Sequence, residues 1–366
     1  MKKTNLVIVA SIIILVLIIT TSATEFFNLK EDKYIEIGFA SSLSGDAGIW
    51  GQDIKTGFDF AVNQLNSKGG IDGKLIKPVY EDDECDPKIG VIAYNKLIEI
   101  DKVKIITGTM CSSVAMAVTD QTQNNRVLYM ATGATHPDVA KLGDLVFRIY
   151  PSDTFEIEKI IEYMVLEKNI TKFGLINLSD QALGLSARDT IKKATSRNNA
   201  EITKEETYTL TDKDFKTIIS KVMYTNPEAI YVISIPEQTP LIFNQIKELG
   251  YKGIIIGYSG ALNISEVTDQ IKDKTNIYYP EPVIIQQTSF WEDYKQATGE
   301  KASYIMGVGY DTFKIIEDGL KVCGEDNDCI RDYWLTLKDY PTSRGNISYD
   351  EDGDITNVEY AVKELS

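Results

Sequence analysis

Few residues in this chain have the type and spacing for bond chemistry. His136, between Thr135 and Pro137, is the only histidine, so a proton relay would rest on one imidazole. No glycine-rich phosphate loop with a lysine, no metal-ligand spacing and no nucleophile elbow occurs. The run Asp82, Asp83, Glu84 and Asp86 has the charge to hold a cation. Because it flanks Cys85, it reads more simply as a solvated loop.

Three stretches of small and hydroxyl residues, each placed after an apolar run, carry more information. The first, residues 41–51, is small and polar with one large aromatic, Trp50. The second, residues 108–113, ends on Ser112 and Ser113 and enters a helical pattern. The third, residues 131–135, holds Gly133, Ala134 and Thr135. Capping is the simplest task for Ser112 or Ser113. The same geometry leaves backbone N–H groups free at the positive end of a helix, which suits a carboxylate. Gly133 would let backbone approach a ligand, Thr135 adds a hydroxyl, and Trp50 is read as a wall for an apolar group.

The elements that must position these loops alternate regularly. Strands are predicted at residues 34–39, 75–80, 104–107, 127–130, 173–177, 230–234, 254–257 and 276–279. Amphipathic helices are predicted at 52–66, 89–100, 113–123, 155–167, 186–198, 212–225, 239–249, 289–298, 307–320 and 328–338. Such alternation implies parallel sheets flanked by helices, with ligands beyond the carboxyl ends of the strands. Breaks are expected near Pro151 and near Pro280 and Pro282, and final strands at 345–349 and 356–364 around an acidic turn.

Lys2 and Lys3, the apolar run 6–19 and the small, polar stretch 20–24 follow the order of a secretory signal. Fourteen apolar residues fall short of the ~20 that span a bilayer, so cleavage after Ala23 is expected. An uncleaved anchor is the alternative. An exported chain with four cysteines reads as disulfide-bonded. Three pairings exist, and proximity alone favours Cys85 with Cys111 and Cys323 with Cys329. With residues 1–23 removed, 343 of the 366 residues remain, enough for two domains. The net charge of −16 becomes −18 without Lys2 and Lys3, and no basic stripe interrupts it. Nucleic acid and anionic membrane surfaces are therefore poor partners. Four Asn-x-Ser/Thr sequons, at Asn169, Asn177, Asn263 and Asn346, are open to glycosylation where the machinery exists.

Taken in order, these motifs resemble the branched-chain amino-acid-binding proteins, within the two-lobed type I periplasmic binding proteins. The resemblance covers nearly the whole mature chain. It rests on Ser42-Leu43-Ser44-Gly45, Trp50-Gly51-Gln52, Asn66-Ser67-Lys68-Gly69-Gly70-Ile71-Asp72-Gly73-Lys74-Leu75, Asp82-Asp83-Glu84-Cys85-Asp86-Pro87 and Gly108-Thr109-Met110-Cys111-Ser112-Ser113. It implies an α/β fold of two doubly wound lobes with parallel-rich sheets, joined by a multi-crossing hinge. The lobes implied are 33–152 plus 281–347, and 153–280 plus 348–366. It also implies that Cys85 pairs with Cys111, that Ser112 and Thr135 hold a ligand carboxylate with backbone near Gly133 and Ala134, and that Trp50 covers the ligand side chain.

In the second lobe the chain departs from that pattern. Leu183 stands before Gly184 where the family commonly has a tyrosine, Ile235 where it has an aromatic, and Ser259 where it has an acid for the ligand ammonium. An ammonium without that acid loses about 1.5–3 kcal/mol, or ten- to a hundredfold in affinity. A shift of one residue would bring Tyr258 into play instead. The function expected is capture of a small carboxylate-bearing solute, an amino acid or related acid, for the membrane permease of an ABC transporter. An extracytoplasmic sensing or regulatory subunit is the alternative. No cofactor, metal or catalytic residue is implied.

Overall fold

The computed structural model describes residues 33–45, 47–284 and 288–366. The expected secretory segment 1–23 and Asp46 of the first loop lie outside them.

The first apolar runs form β1 (Tyr34–Ser41), β2 (Leu75–Asp82), β3 (Ile105–Thr107), β4 (Leu128–Ala131) and β5 (Val146–Arg148). They make one parallel sheet in the order β2-β1-β3-β4-β5. Parallel neighbours need crossovers, and α1 (Gly48–Asn66), α2 (Pro87–Asn95) and α3 (Ser112–Asn124) supply the first three. Both faces are therefore apolar. Ile37 and Phe39 of β1 join Phe58 of α1 in one cluster, while Ala40, Ile106 and Tyr129 join Tyr94 and Val114 in the other.

The pattern repeats with α4 (Asp153–Lys168), β6 (Lys172–Leu178), α5 (Ala182–Arg197), β7 (Glu201–Tyr208), α6 (Lys216–Met223), β8 (Ala229–Ile233), α7 (Thr239–Glu248), β9 (Ile254–Ile256) and β10 (Ile277–Pro282). The chain then adds α8 (Phe290–Thr298), α9 (Tyr304–Cys323) and α10 (Asn327–Leu335), followed by β11 (Tyr340–Thr342), β12 (Gly345–Tyr349), β13 (Ile355–Thr356) and β14 (Tyr360–Glu364). The second sheet runs β14-β10-β9-β8-β6-β7, parallel except for β14, and β11, β12 and β13 make a small antiparallel sheet.

The chain passes between the two large sheets three times: after β5, after β10 and before β14. Helix α9 returns to pack on α1, and glycine lets the two backbones touch. A Cβ on Gly57 would lie 1.8 Å from the Met306 carbonyl oxygen, and one on Gly309 1.9 Å from that of Ile54. Near the crossings, buried Arg344 pairs with buried Asp311 at 2.8 Å and donates to the Ile149 carbonyl at 3.3 Å. Arg148 donates to Asp354 at 2.8 Å.

Several expectations need correction. The short strands β5 and β11 were not foreseen, nor was β7, which is an edge strand of mostly half-exposed charged and polar residues. The strand expected over 356–364 is divided into β13 and β14, which pair with different sheets. The helix expected over 89–100 starts at Pro87, with Asp86 as its cap, and ends in a π-turn over Lys96–Ile100.

Candidate functional site

Eight loops leave the carboxyl ends of β1 to β4 and of β6 to β9 and meet around one cavity of about 440 Å³. The first sheet contributes Gly45, Ala47 and Trp50, then Glu84, Cys85, Asp86 and Pro87, then Met110 to Ser113, then Gly133 and Thr135. The second contributes Asp180, Gln181 and Leu183, then Leu210, Ile235 and Tyr258. Six expected residues, Trp50, Ser112, Ser113, Gly133, Thr135 and Leu183, are thus brought together.

Ser112 does not cap its helix. The N-cap of α3 is Cys111, and no side chain caps the first turn. The buried Ser112 hydroxyl oxygen instead accepts the backbone N–H groups of Thr135 and His136, each at 3.1 Å. That fixes the third loop against the second and leaves the Ser112 hydroxyl proton available as a donor. The N-terminus of α5, behind Gln181, also lacks a side-chain cap. Ser113 Oγ donates to Gln181 Oε1 at 3.4 Å, so the positive ends of the two helices sit side by side. Among the described residues, no lysine, arginine or histidine lines the cavity.

Gly133 has a role the sequence did not suggest. A Cβ there would fall 2.1 Å from Met110 Sδ, so the space is already filled by a lining side chain. The indole of Trp50 is 3 % exposed, and its Nε1–H donates to the Gly260 carbonyl at 2.7 Å. The residue is therefore a contact across the cleft as well as part of its wall.

Two expected residues do not line the cavity. Ala134 is buried in the apolar cluster behind the first sheet. Ser259 is fully buried and donates its hydroxyl to Glu156, below the cavity, while its neighbour Tyr258 faces the cleft. The one-residue shift considered for this region is the arrangement observed. Asp180, Gln181 and Leu210 were missed. Leu210 follows β7, one of the strands that were not foreseen.

The acidic run braces the loops beside the cavity. Asp82 accepts from Leu43 N, Glu84 N and Ser44 Oγ at 2.9, 3.0 and 2.6 Å. Asp86 caps α2 through Lys88 N at 2.7 Å and Ile89 N at 3.2 Å. Asp83 is buried, accepts Cys85 N at 2.9 Å, and has its carboxyl pushed up to about 7 by burial. Cys85 and Cys111 are at disulfide distance, with Cα atoms 5.5 Å apart, and join two lining loops. Cys323 and Cys329 form the second pair, with Cα atoms 5.6 Å apart. His136 accepts Asp138 N at Nδ1, 3.2 Å away, and burial lowers its pKa. Among the described residues no group of acids, cysteines and histidine is arranged for a metal ion, and no helix is long and apolar enough to cross a membrane.

A family model described as periplasmic binding protein matches residues 34–362. The leucine-, isoleucine-, valine-, threonine- and alanine-binding protein of Pseudomonas aeruginosa is 26% identical over 337 residues, covering 90% of this chain and 89% of that one. A leucine-binding protein from Thermotoga maritima superposes with a TM-score of 0.83 at 20% identity, covering 90% of this chain and 98% of that one. An ABC-transporter solute-binding protein of Rhodopseudomonas palustris, solved with benzoate, gives 0.81 at 17% identity, covering 91% and 93%.

Proposed function

The chain belongs to the periplasmic binding protein family, and from that premise we propose that it captures a small monocarboxylate with an apolar body and delivers it to an ABC-transporter permease. One observation carries the reading: the uncapped N-termini of α3 and α5, one from each sheet's side, converge on an apolar cavity. Backbone N–H groups of both helices, with the hydroxyls of Ser112 and Thr135, would take the carboxylate. Trp50, Met110, Leu183, Leu210, Ile235 and Tyr258 would enclose the apolar part.

The charge of the lining narrows the ligand. Among the described residues, Glu84, Asp86 and Asp180 are the only ionisable lining side chains other than Tyr258 and the paired cysteines, so a second negative charge on the solute would be repelled by them. Asp86 and Asp180 already accept backbone N–H groups. The second-lobe wall at Leu183, Leu210 and Ile235 offers nothing to an ammonium. Amino acids and simple carboxylates are both within the class, with the benzoate complex a precedent in that relative for an acid lacking the amine.

Mechanically, the lobes 33–152 plus 281–347 and 153–280 plus 348–366 would close on the solute about the three crossings, driven by its higher affinity for the closed form. Export by the N-terminal segment fits this role. No cofactor enters the cycle.

A thermal-shift screen tests the reading with aliphatic and aromatic amino acids, their keto-acid counterparts, simple carboxylates, amides and sugars. A true ligand at a hundred times its Kd adds about 2.7 kcal/mol. Stabilisation by monocarboxylates or amino acids is expected. Response to sugars or amides alone would overturn it.

A further inference from the structure

Behind the Tyr258 side of the cleft lie two carboxyl groups that ligand capture, as described so far, does not use. Asp153 and Glu156 stand in the first turn of α4, three residues apart and so on one face. Both are buried, at 1 % and 2 % exposure. Each holds one residue of the segment that follows β9. Tyr258 donates its hydroxyl to Asp153 at 3.3 Å, and Ser259 donates to Glu156. The next residue, Gly260, accepts the Trp50 indole from the opposite wall. Asp153 also accepts Ser186 Oγ at 3.3 Å and lies within reach of the Thr135 hydroxyl, while its backbone N–H donates to the Thr135 carbonyl at 3.1 Å. The pair therefore touches lining residues on both sides of the cleft.

We propose that Asp153 and Glu156 are positioning residues of the cleft, and that together they keep Tyr258, Ser259 and Gly260 in place only while one proton resides on the pair. The proposal assumes that this cleft is the binding site. Two carboxylates this deep and this close cannot both ionise cheaply. Burial raises Glu156 strongly and the Asp153 charge raises it further. Burial also raises Asp153, which Thr135, Arg148, Tyr258 and Ser186 partly counter. The proton accordingly resides on Glu156 and the charge on Asp153. Glu156 Oε1 has no hydrogen-bond partner, a lesser penalty for a neutral acid than for a carboxylate. The ionisable groups facing the pair are Arg148, which is paired with Asp354, and the phenols of Tyr150, Tyr231, Tyr258 and Tyr360. All four phenols are raised above their ordinary value, so none supplies the titration near neutrality.

Trp50 reports on the pair without any ligand. The chain has three tryptophans, so 5-fluorotryptophan labelling gives three fluorine signals, and W50F identifies the one that matters. As pH rises and the last proton leaves, the Trp50 signal should shift and its indole N–H should exchange with solvent about tenfold faster. E156Q, which keeps the shape and cannot ionise, should hold the signal at its low-pH position. If E156Q fails to fold, S259A replaces it: removing a donor to the carboxylate should move the midpoint to higher pH. A Trp50 signal flat over the whole pH range in which the chain stays folded, or one that moves identically in wild type and in E156Q or S259A, overturns the proposal. Because no solute is present, that result stands apart from failure of the thermal-shift screen.

Discussion

The Ser112 hydroxyl oxygen accepts the Thr135 backbone N–H at 3.1 Å, so the two residues expected to bind the ligand independently are one hydrogen-bonded unit. Ser112 is also shared with His136 N, at the same distance. The Ser112 oxygen that lines the cavity is thereby held in place by two backbone donors.

S112A should therefore act twice. It strands two N–H groups at a buried site, at about 1–3 kcal/mol each, and the loss appears in urea denaturation without ligand. It should also weaken a carboxylate ligand by at least tenfold in calorimetry. A serine serving only the ligand would show the second effect without the first.

Gly184 should tolerate no side chain. A Cβ there would lie 1.7 Å from the Leu178 carbonyl oxygen, where α5 crosses the end of β6. G184A should cost about 1–3 kcal/mol through overpacking and lower the denaturation midpoint. It should also displace the α5 N-terminus and so weaken the ligand.

Asp83 should give stability a pH dependence opposite to that of a salt-bridged acid. Its folded carboxyl is raised to about 7, against 3.8 for the ordinary group. The folded state therefore binds the proton more tightly than the unfolded chain. Its contribution is fully present below about pH 4 and is lost as pH rises through about 7. Melting temperatures between pH 4 and 8 should fall from this group, and D83N, which can keep the bond from Cys85 N, should flatten that part of the profile.

How far these features could be read in advance depended on whether a residue's role was local. Residues 41–51, 108–113 and 131–135 are local: apolar strand, small loop, helix start, in that order. Each contributes residues to the cavity lining, although Ala134 turns into the apolar cluster behind the sheet. Leu210 was invisible because β7 shows neither an apolar run nor a clean alternation. Asp153 and Glu156 look like ordinary solvated acids after an N-cap serine, and Ser152 does accept Thr154 N at 3.3 Å. Only the packing of α4 under the segment after β9 turns them into a buried pair. Ser259 failed for a related reason: along the residues entering a one-turn helix, side chains alternate between cleft and interior, and a register error of one exchanges them.

Removing the Cys85–Cys111 bridge should destabilise the fold more than removing Cys323–Cys329. The loops span 26 and 6 residues, for which chain entropy gives about 3–4 and about 2 kcal/mol. The double variant C85A/C111A should also lose ligand affinity, since both cysteines line the cavity, whereas C323A/C329A should retain it.

On the proposed function, that bridge would make solute capture a matter of the chain's history. A newly made polypeptide with Cys85 and Cys111 still as thiols would have two of its cavity loops unfastened and, on the proposed function, would acquire its grip only once an oxidant had joined them. Made in a reducing cytosol that also contains the solute, the chain would leave with an empty hand. Competence would come after departure, so that every molecule begins service unloaded.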